Sequence, residues 1–235
     1  MNTPNDSETK TAPPVGSSAL FDRPHSKKYL LRPIVEIVRN YGIQACESKA
    51  QEISRSLAVR TVVNVGGGRS SVRWAAAQNC DGLLDPDLDF NTCKLPWTDG
   101  CADLVLCEQV IEHLHNTTWF LSELHRILRP GGHLLLSTEN LVSLPNLFAM
   151  LLQKAPFSTQ AVCGRFIGGW RDGEAGYGVE CAPNHPAFAG LRGHVRVMTV
   201  GQLRTLLEWS RFKILSKHGF GGNHYVLMHA QRSND

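Results

Sequence analysis

Residues 60–71 read RTVVNVGGGRSS. Arg60 to Gly66 is a β-branched run closed by glycine, which predicts a buried strand, and Ser71 to Asn79 predicts a short helix behind it. Between them stands Asn64-Val65-Gly66-Gly67-Gly68-Arg69-Ser70. Glycines let a ligand approach the backbone closely, and the first turn of a helix presents unpaired N–H groups. A strand, a glycine turn and a helix in that order open an α/β sheet with a ligand at its edge. A tight turn without a ligand would use glycine as well. The stretch therefore decides the fold before it decides a function.

The same alternation continues on either side. Upstream, Lys27–Ala58 has a helical pattern, with Ile34, Val35, Ile37, Val38, Ile53 and Leu57 among charges. Residues 1–20 are rich in Thr, Pro, Ser and Asn and read as a disordered tail, so the folded domain is expected to span 21–235. Downstream, Gly82–Asp85 and Leu88–Asn91 are short strand candidates, and Ala102–Cys107 is a buried strand. Helix Thr117–Arg129 is expected to stop at Pro130-Gly131-Gly132, followed by strand His133–Thr138. The chain closes with helix Thr199–Ser210 and strands Phe212–Lys217 and His224–Ala230, which should pair as an antiparallel hairpin. This rhythm predicts a doubly wound α/β sheet. Residues 143–195 interrupt it with Gly, Pro and aromatic residues around one helix, Leu144–Leu152. They read as an inserted lid.

Composition narrows the class. With 235 residues, 42% hydrophobic and 19% charged, the chain has enough apolar material for a sizeable core. No apolar run reaches the ~18 residues of a membrane span. The polar start MNTPNDSETK gives no secretory signal, and the seven cysteines form no C-x-x-C pair. Neither a disulfide framework nor a zinc site is expected, and the expected location is the cytoplasm. A net charge of +3 makes no case for nucleic acid. The whole positive excess lies in residues 141–235, which points to an anionic partner on one side or to an ordinary solvated surface.

Cys101 to Asn140, CADLVLCEQVIEHLHNTTWFLSELHRILRPGGHLLLSTEN, resembles the region after the glycine motif in class I S-adenosylmethionine-dependent methyltransferases of the type 11 group. The matching residues are Leu95-Pro96-Trp97, Asp103-Leu104-Val105, Glu112-His113 and Ile127-Leu128-Arg129-Pro130-Gly131-Gly132, in the family's order and spacing. A looser match, His194-Val195-Arg196-Val197-Met198-Thr199, resembles the branch acting on bacterial glycans and lipids. The resemblance implies a Rossmann-like seven-stranded sheet and S-adenosyl-L-methionine as cofactor. By it, Gly66 and Gly68 hold the cofactor's methionine part, and Asp85 accepts hydrogen bonds from both ribose hydroxyls, with Asp81 or Asp87 as alternatives. Asn91 lies near the adenine amino group. Asn64 stands where the family has Asp and keeps an acceptor without the charge. Gln109 opens Gln109-Val110-Ile111-Glu112-His113, where some relatives have E-x-x-E-H and bind magnesium. With Gln in place of a carboxylate, no metal is expected.

In open α/β sheets ligands bind beyond the carboxyl ends of the strands, and Gly66–Ser70, Asp85, Asn91, Cys107–His113 and Thr138–Asn140 all fall there. His113 and Glu139 are the candidate bases for an acceptor that must lose a proton. Glu112 and His113 could equally fix a turn, and Glu139-Asn140 could cap a helix. The expected function is methyl transfer to a small-molecule or glycan/lipid-linked acceptor that is anionic or sits beside an anion. Two alternatives stand: a nicotinamide-dependent dehydrogenase, against which Ser71 occupies the place of a third glycine, and a non-catalytic binding module. The oligomeric state is not legible.

Overall fold

The computed structural model describes residues 32–57, 59–66, 88–153, 156–159 and 194–234, with backbone alone for 32–40. The predicted tail, helix Ser71–Asn79, strand Gly82–Asp85, most of the lid-like stretch, and Gly68, Asp81, Asp85 and Asp87 lie outside the described residues.

Helix α1 (Arg32–Ser56) leads into β1 (Val62–Val65). Then come β2 (Ala102–Glu108), a short 3-10 turn at Ile111–His113, α2 (Thr117–Ile127) and β3 (Leu128–Glu139). Helix α3 (Leu144–Leu151), α4 (Val200–Trp209), β4 (Phe212–Phe220) and β5 (Tyr225–Arg232) complete the set. The strands form one sheet in the order β1-β2-β3-β5-β4. β1, β2 and β3 run parallel, and β5 is antiparallel to both β3 and β4. The expected closing hairpin is therefore present, on a mixed sheet of five strands among the described residues.

Alternation along the strands builds two apolar layers, because successive side chains point to opposite faces. Val63, Val65, Val105, Leu134, Leu136, Val226 and Met228 face Phe120, Leu121 and Leu124 of α2 and Leu203 and Leu207 of α4. Their neighbours Val62, Leu104, Leu106, Leu135 and Leu227 face Cys46 and Ala50 of α1. A sheet covered on both sides reads as continuous apolar runs, and VVNV and ADLVLC do. Caps fix the helix starts. Asn116 accepts from the Trp119 N–H, Ser143 from the Asn146 N–H, and Thr199 forms a capping box with Gln202.

Two expectations need correction. Leu88–Asn91 is not a strand: Asp89 Oδ1 accepts from the Asn91 N–H at 2.9 Å and the Asp89 carbonyl from Thr92 and Cys93, folding the segment into a turn. The helix predicted to reach Arg129 ends at Ile127, and β3 begins at Leu128. Pro130-Gly131-Gly132 fall in a bulge, where pairing jumps from Ala102↔Leu128 to Leu104↔His133, with Gly131 at φ 72°. The Pro-Gly-Gly motif ends no helix. It bends the start of a strand.

Candidate functional site

Three parallel strands end along one edge of the sheet. β1 is followed by Gly66, whose φ of 77° is open to glycine. A Cβ at Gly66 would fall on the Cγ2 of Val110, so the turn presses directly on the segment after β2. Asn64 is buried, and its Oδ1 has no hydrogen-bond partner among the described residues. β2 is followed by Gln109 at φ 54°. Its N–H donates to the Ser137 carbonyl of β3 at 2.9 Å, and its Nε2 reaches Ser137 Oγ at 3.5 Å. Asn64, Gly66 and Gln109 thus meet at one edge. An unpaired buried acceptor beside a glycine turn fits an ammonium-bearing, nucleotide-like ligand lying across β1 and β2.

Asn91 reaches the same edge but is engaged differently. Its Oδ1 accepts from the N–H groups of His115 and Asn116 at 2.8 and 3.0 Å, and its carbonyl accepts from Asn116 Nδ2. The oxygen expected near the adenine is spent holding the loop before α2.

The second half of the site is a buried group of carboxylates and imidazoles. Glu112, in the 3-10 turn, is fully buried, with Oε2 accepting from Thr138 Oγ1 at 2.8 Å and Oε1 without a hydrogen-bond partner. Burial pushes its carboxyl up to about 7. Its main-chain carbonyl accepts from the Val195 and Arg196 N–H groups at 2.9 and 3.0 Å, stapling the returning segment to the turn. That staple delivers His194. Its Nδ1 lies 2.7 Å from the Ser158 carbonyl and 3.5 Å from Glu139 Oε2, and its ring meets His113 edge-on at 4.7 Å between centroids. Burial alone would depress the His194 imidazole, but the Glu139 carboxylate, the Ser158 carbonyl and Glu112 outweigh it and raise its basicity. Glu139 is buried at the end of β3, with His224 Nε2 3.8 Å from the same Oε2. His224 Nδ1 is 3.2 Å from Ser143 Oγ.

His113 and Glu139, picked from sequence by position alone, are therefore joined through His194. The sequence reading missed His194 as a site residue. His194 opens the looser motif His194–Thr199, but that motif carries no sign that the chain returns beside β3 through an isolated bridge between Asn140 and Met198. Among the described residues, Glu112, His113 and His194 are the group able to hold a metal ion, with ligand atoms no more than 4.8 Å apart. Glu139-Asn140 cap no helix; α3 is capped by Ser143.

The family model described as Methyltransferase domain matches residues 49–136. A probable S-adenosylmethionine-dependent methyltransferase of Mycolicibacterium smegmatis is 47% identical over 53 residues, 23% of this chain and 21% of that protein. The rat mitochondrial ubiquinone biosynthesis O-methyltransferase is 33% identical over 64 residues, 26% of this chain and 19% of that protein. The chain thus spans about a fifth of the length of these curated relatives. In fold it is similar to a Thermotoga maritima SAM-dependent methyltransferase, at a TM-score of 0.50 and 14% identity over 86% of this chain and 97% of that one. No helix among the described residues is long and apolar enough to cross a membrane.

Proposed function

We propose that this chain, which carries a class I S-adenosylmethionine-dependent methyltransferase domain, moves a methyl group from that cofactor to a small-molecule or glycan/lipid-linked acceptor. One observation carries the reading. The carboxyl ends of β1, β2 and β3 bring a glycine turn, a buried unpaired amide oxygen and an acid–imidazole cluster to one edge.

When bound, the cofactor supplies a methyl group already activated on a sulfonium, so the protein's main task is alignment, which can be worth roughly 7–11 kcal/mol. Gly66 and Gly68 let the ligand approach the backbone, Asn64 and Gln109 offer polar contacts across β1 and β2, and Asp85 takes the ribose hydroxyls. The acceptor lies over the cluster beyond β2 and β3. A hydroxyl or ammonium acceptor gives up its proton there, and His113 and Glu139 are the proposed receiving groups. Glu139 is buried, so it acts through His194, whose Nδ1 lies 3.5 Å from its Oε2 and whose ring meets that of His113. Residues 143–195 select the acceptor, and the positive excess of residues 141–235 favours an acceptor bearing or adjoining an anion.

Calorimetric titration with S-adenosylhomocysteine and with NAD tests the reading, backed by thermal unfolding. S-adenosylhomocysteine at ~100 times its dissociation constant should add about 2.7 kcal/mol of stability, and NAD nothing. Binding of NAD in its place would favour the dehydrogenase. Binding of neither at millimolar concentration would favour a module that kept the fold alone.

A further inference from the structure

We propose that Glu112, His113 and His194 form a binding site for a first-row divalent transition metal of the zinc type. This donor set differs from that of the magnesium-binding relatives, whose first carboxylate is replaced here by Gln109. His194 enters from a distant part of the chain and makes the set two imidazoles and one carboxylate.

Three features support the site beyond proximity. Glu112 is fully buried, yet its Oε1 has no hydrogen-bond partner among the described residues. A buried carboxyl oxygen left open in this way fits a cation. His194 is oriented as a ligand should be. Its Nδ1 must carry the proton to donate to the Ser158 carbonyl at 2.7 Å, which leaves the Nε2 lone pair for a metal. The Glu139 carboxylate 3.5 Å from that same Nδ1 makes Glu139-His194 an outer-shell pair of the kind that orients metal-bound imidazoles. Finally, the two Val195 and Arg196 N–H bonds to the Glu112 carbonyl fix the segments relative to each other by main chain.

The dimensions are compatible. Ligand atoms ~2.0–2.1 Å from a tetrahedral zinc stand about 3.4 Å apart, so a set within 4.8 Å needs only small side-chain rotations to close. Imidazole and carboxylate donors suit zinc, cobalt or iron better than magnesium, which prefers an all-oxygen shell. Three protein ligands leave a fourth position for water or an acceptor oxygen, the arrangement of catalytic zinc sites. The expectation of no zinc site rested on cysteine spacing, and that of no magnesium on Gln109. Neither bears on a site that the fold assembles from histidines. The inference deepens the proposed methyltransferase site, where with metal bound His113 would act as a ligand and no longer as the receiving base; metal binding is read without cofactor or acceptor, so either can fail alone.

The test uses the full chain stripped with a chelator and titrated with Co²⁺, followed by its visible absorption, then with Zn²⁺ in competition. One cobalt per chain is expected, displaced by zinc and unaffected by millimolar magnesium. His194→Ala and Glu112→Gln should weaken cobalt binding by more than the ~10–100-fold that outer-shell changes cost, and Glu139→Gln should fall within that range. If Glu112→Gln does not fold, His113→Ala serves in its place, with circular dichroism confirming each variant. S-adenosylhomocysteine binding to these variants reports separately on the cofactor half. Absence of stoichiometric cobalt binding would overturn the proposal, as would wild-type affinity in His194→Ala. A near-ultraviolet thiolate-to-cobalt band would assign the metal to cysteines and overturn it too.

Discussion

Gly66→Ala should destabilise the protein by about 2–4 kcal/mol, for two separable reasons. The backbone at φ 77° disfavours any Cβ, at ~1–2 kcal/mol for an L-residue in the left-handed region. The new methyl would also land on Val110 Cγ2, with Val110 Cβ and Cγ1 3.4 and 3.5 Å away. Val110 is only 7% exposed and stiff at χ1, so making room costs a further ~1–3 kcal/mol. A reduced unfolded-state entropy returns ~0.4–1 kcal/mol. Val110→Ala separates the two terms, since it removes the methyl that collides but leaves the dihedral alone. Urea unfolding of the wild type, both single variants and the double variant then gives a coupling energy. In the Val110→Ala background the glycine substitution should cost only ~1 kcal/mol, a coupling of about 1–3 kcal/mol. Additivity within ~0.5 kcal/mol would refute the close approach of the β1 turn to the segment after β2. The double variant carries a functional readout as well. If Gly66 cradles the cofactor, S-adenosylhomocysteine binding stays impaired although the clash with Val110 is gone.

Asp103 ties β2 to the start of β1 by accepting the N–H groups of Arg60 and Thr61 at 2.8 and 2.9 Å, and it pairs with Arg129. Asp103→Ala should cost about 1–2 kcal/mol in urea unfolding. Burial opposes the Asp103 charge, but the Thr61 and Arg60 N–H groups and the Arg129 guanidinium outweigh it and hold the carboxyl below its usual range. That stabilisation is complete above the unfolded value of about 3.9 and is lost as pH falls through the folded one, so the variant should lose stability less steeply on acidification than the wild type. Arg126 donates to both Glu123 oxygens at 2.9 and 2.8 Å and to the carbonyls of Leu95 and Trp97 at 2.9 and 2.8 Å. Arg126→Lys cannot reproduce that fork and should cost about 2–3 kcal/mol in thermal unfolding, with a loss under ~0.5 kcal/mol showing the latch to be dispensable. Gln109 holds φ 54° without being glycine. Gln109→Gly should therefore gain ~1 kcal/mol of stability and, if Gln109 touches the cofactor as proposed, weaken S-adenosylhomocysteine binding; unchanged affinity would refute that contact.

The elements that carry their own signals were legible in the sequence. VVNV and ADLVLC announce buried parallel strands, and the helices expected from Thr117, Leu144 and Thr199 begin within a residue of those positions. The closing hairpin followed from two β-rich runs with a short glycine turn between them. Leu88–Asn91 misled because its apolar alternation imitates a strand, while the Asp89 side chain satisfies the local N–H groups and competes with pairing. The site was legible where it follows strand ends, at Gly66, Gln109 and Glu139, since topology makes those positions converge. It was not legible at His194, whose position depends on main-chain bonds between segments far apart in sequence. Nor could spacing reveal that the Asn91 amide would be consumed by its own loop.

The chain leaves the sheet at Asn140 and comes back beside it at Met198, with the Leu141 N–H bonded to the Met198 carbonyl at 3.0 Å. Asn146 reinforces this neck from inside, donating to the Asn140 and Leu141 carbonyls. A loop sutured at its base has already met its closure entropy, and doubling its length then costs only ~0.6 kcal/mol. Closure entropy alone therefore sets little penalty on changing the number of residues between 160 and 193. Contacts tie both ends of the stretch between Asn140 and Met198 to the rest of the fold: the Leu144 N–H donates to the Gly222 carbonyl at 3.0 Å and Ser143 Oγ stands 3.2 Å from His224 Nδ1, while the Val195 and Arg196 N–H groups donate to the Glu112 carbonyl. His194, the last residue before the chain rejoins the staple, sits against His113 and Glu139. If residues 143–195 select the acceptor as proposed, exchanging 160–193 while keeping that histidine should change what is admitted to the crevice, and exchanging them together with the histidine should also change the chemistry that waits there.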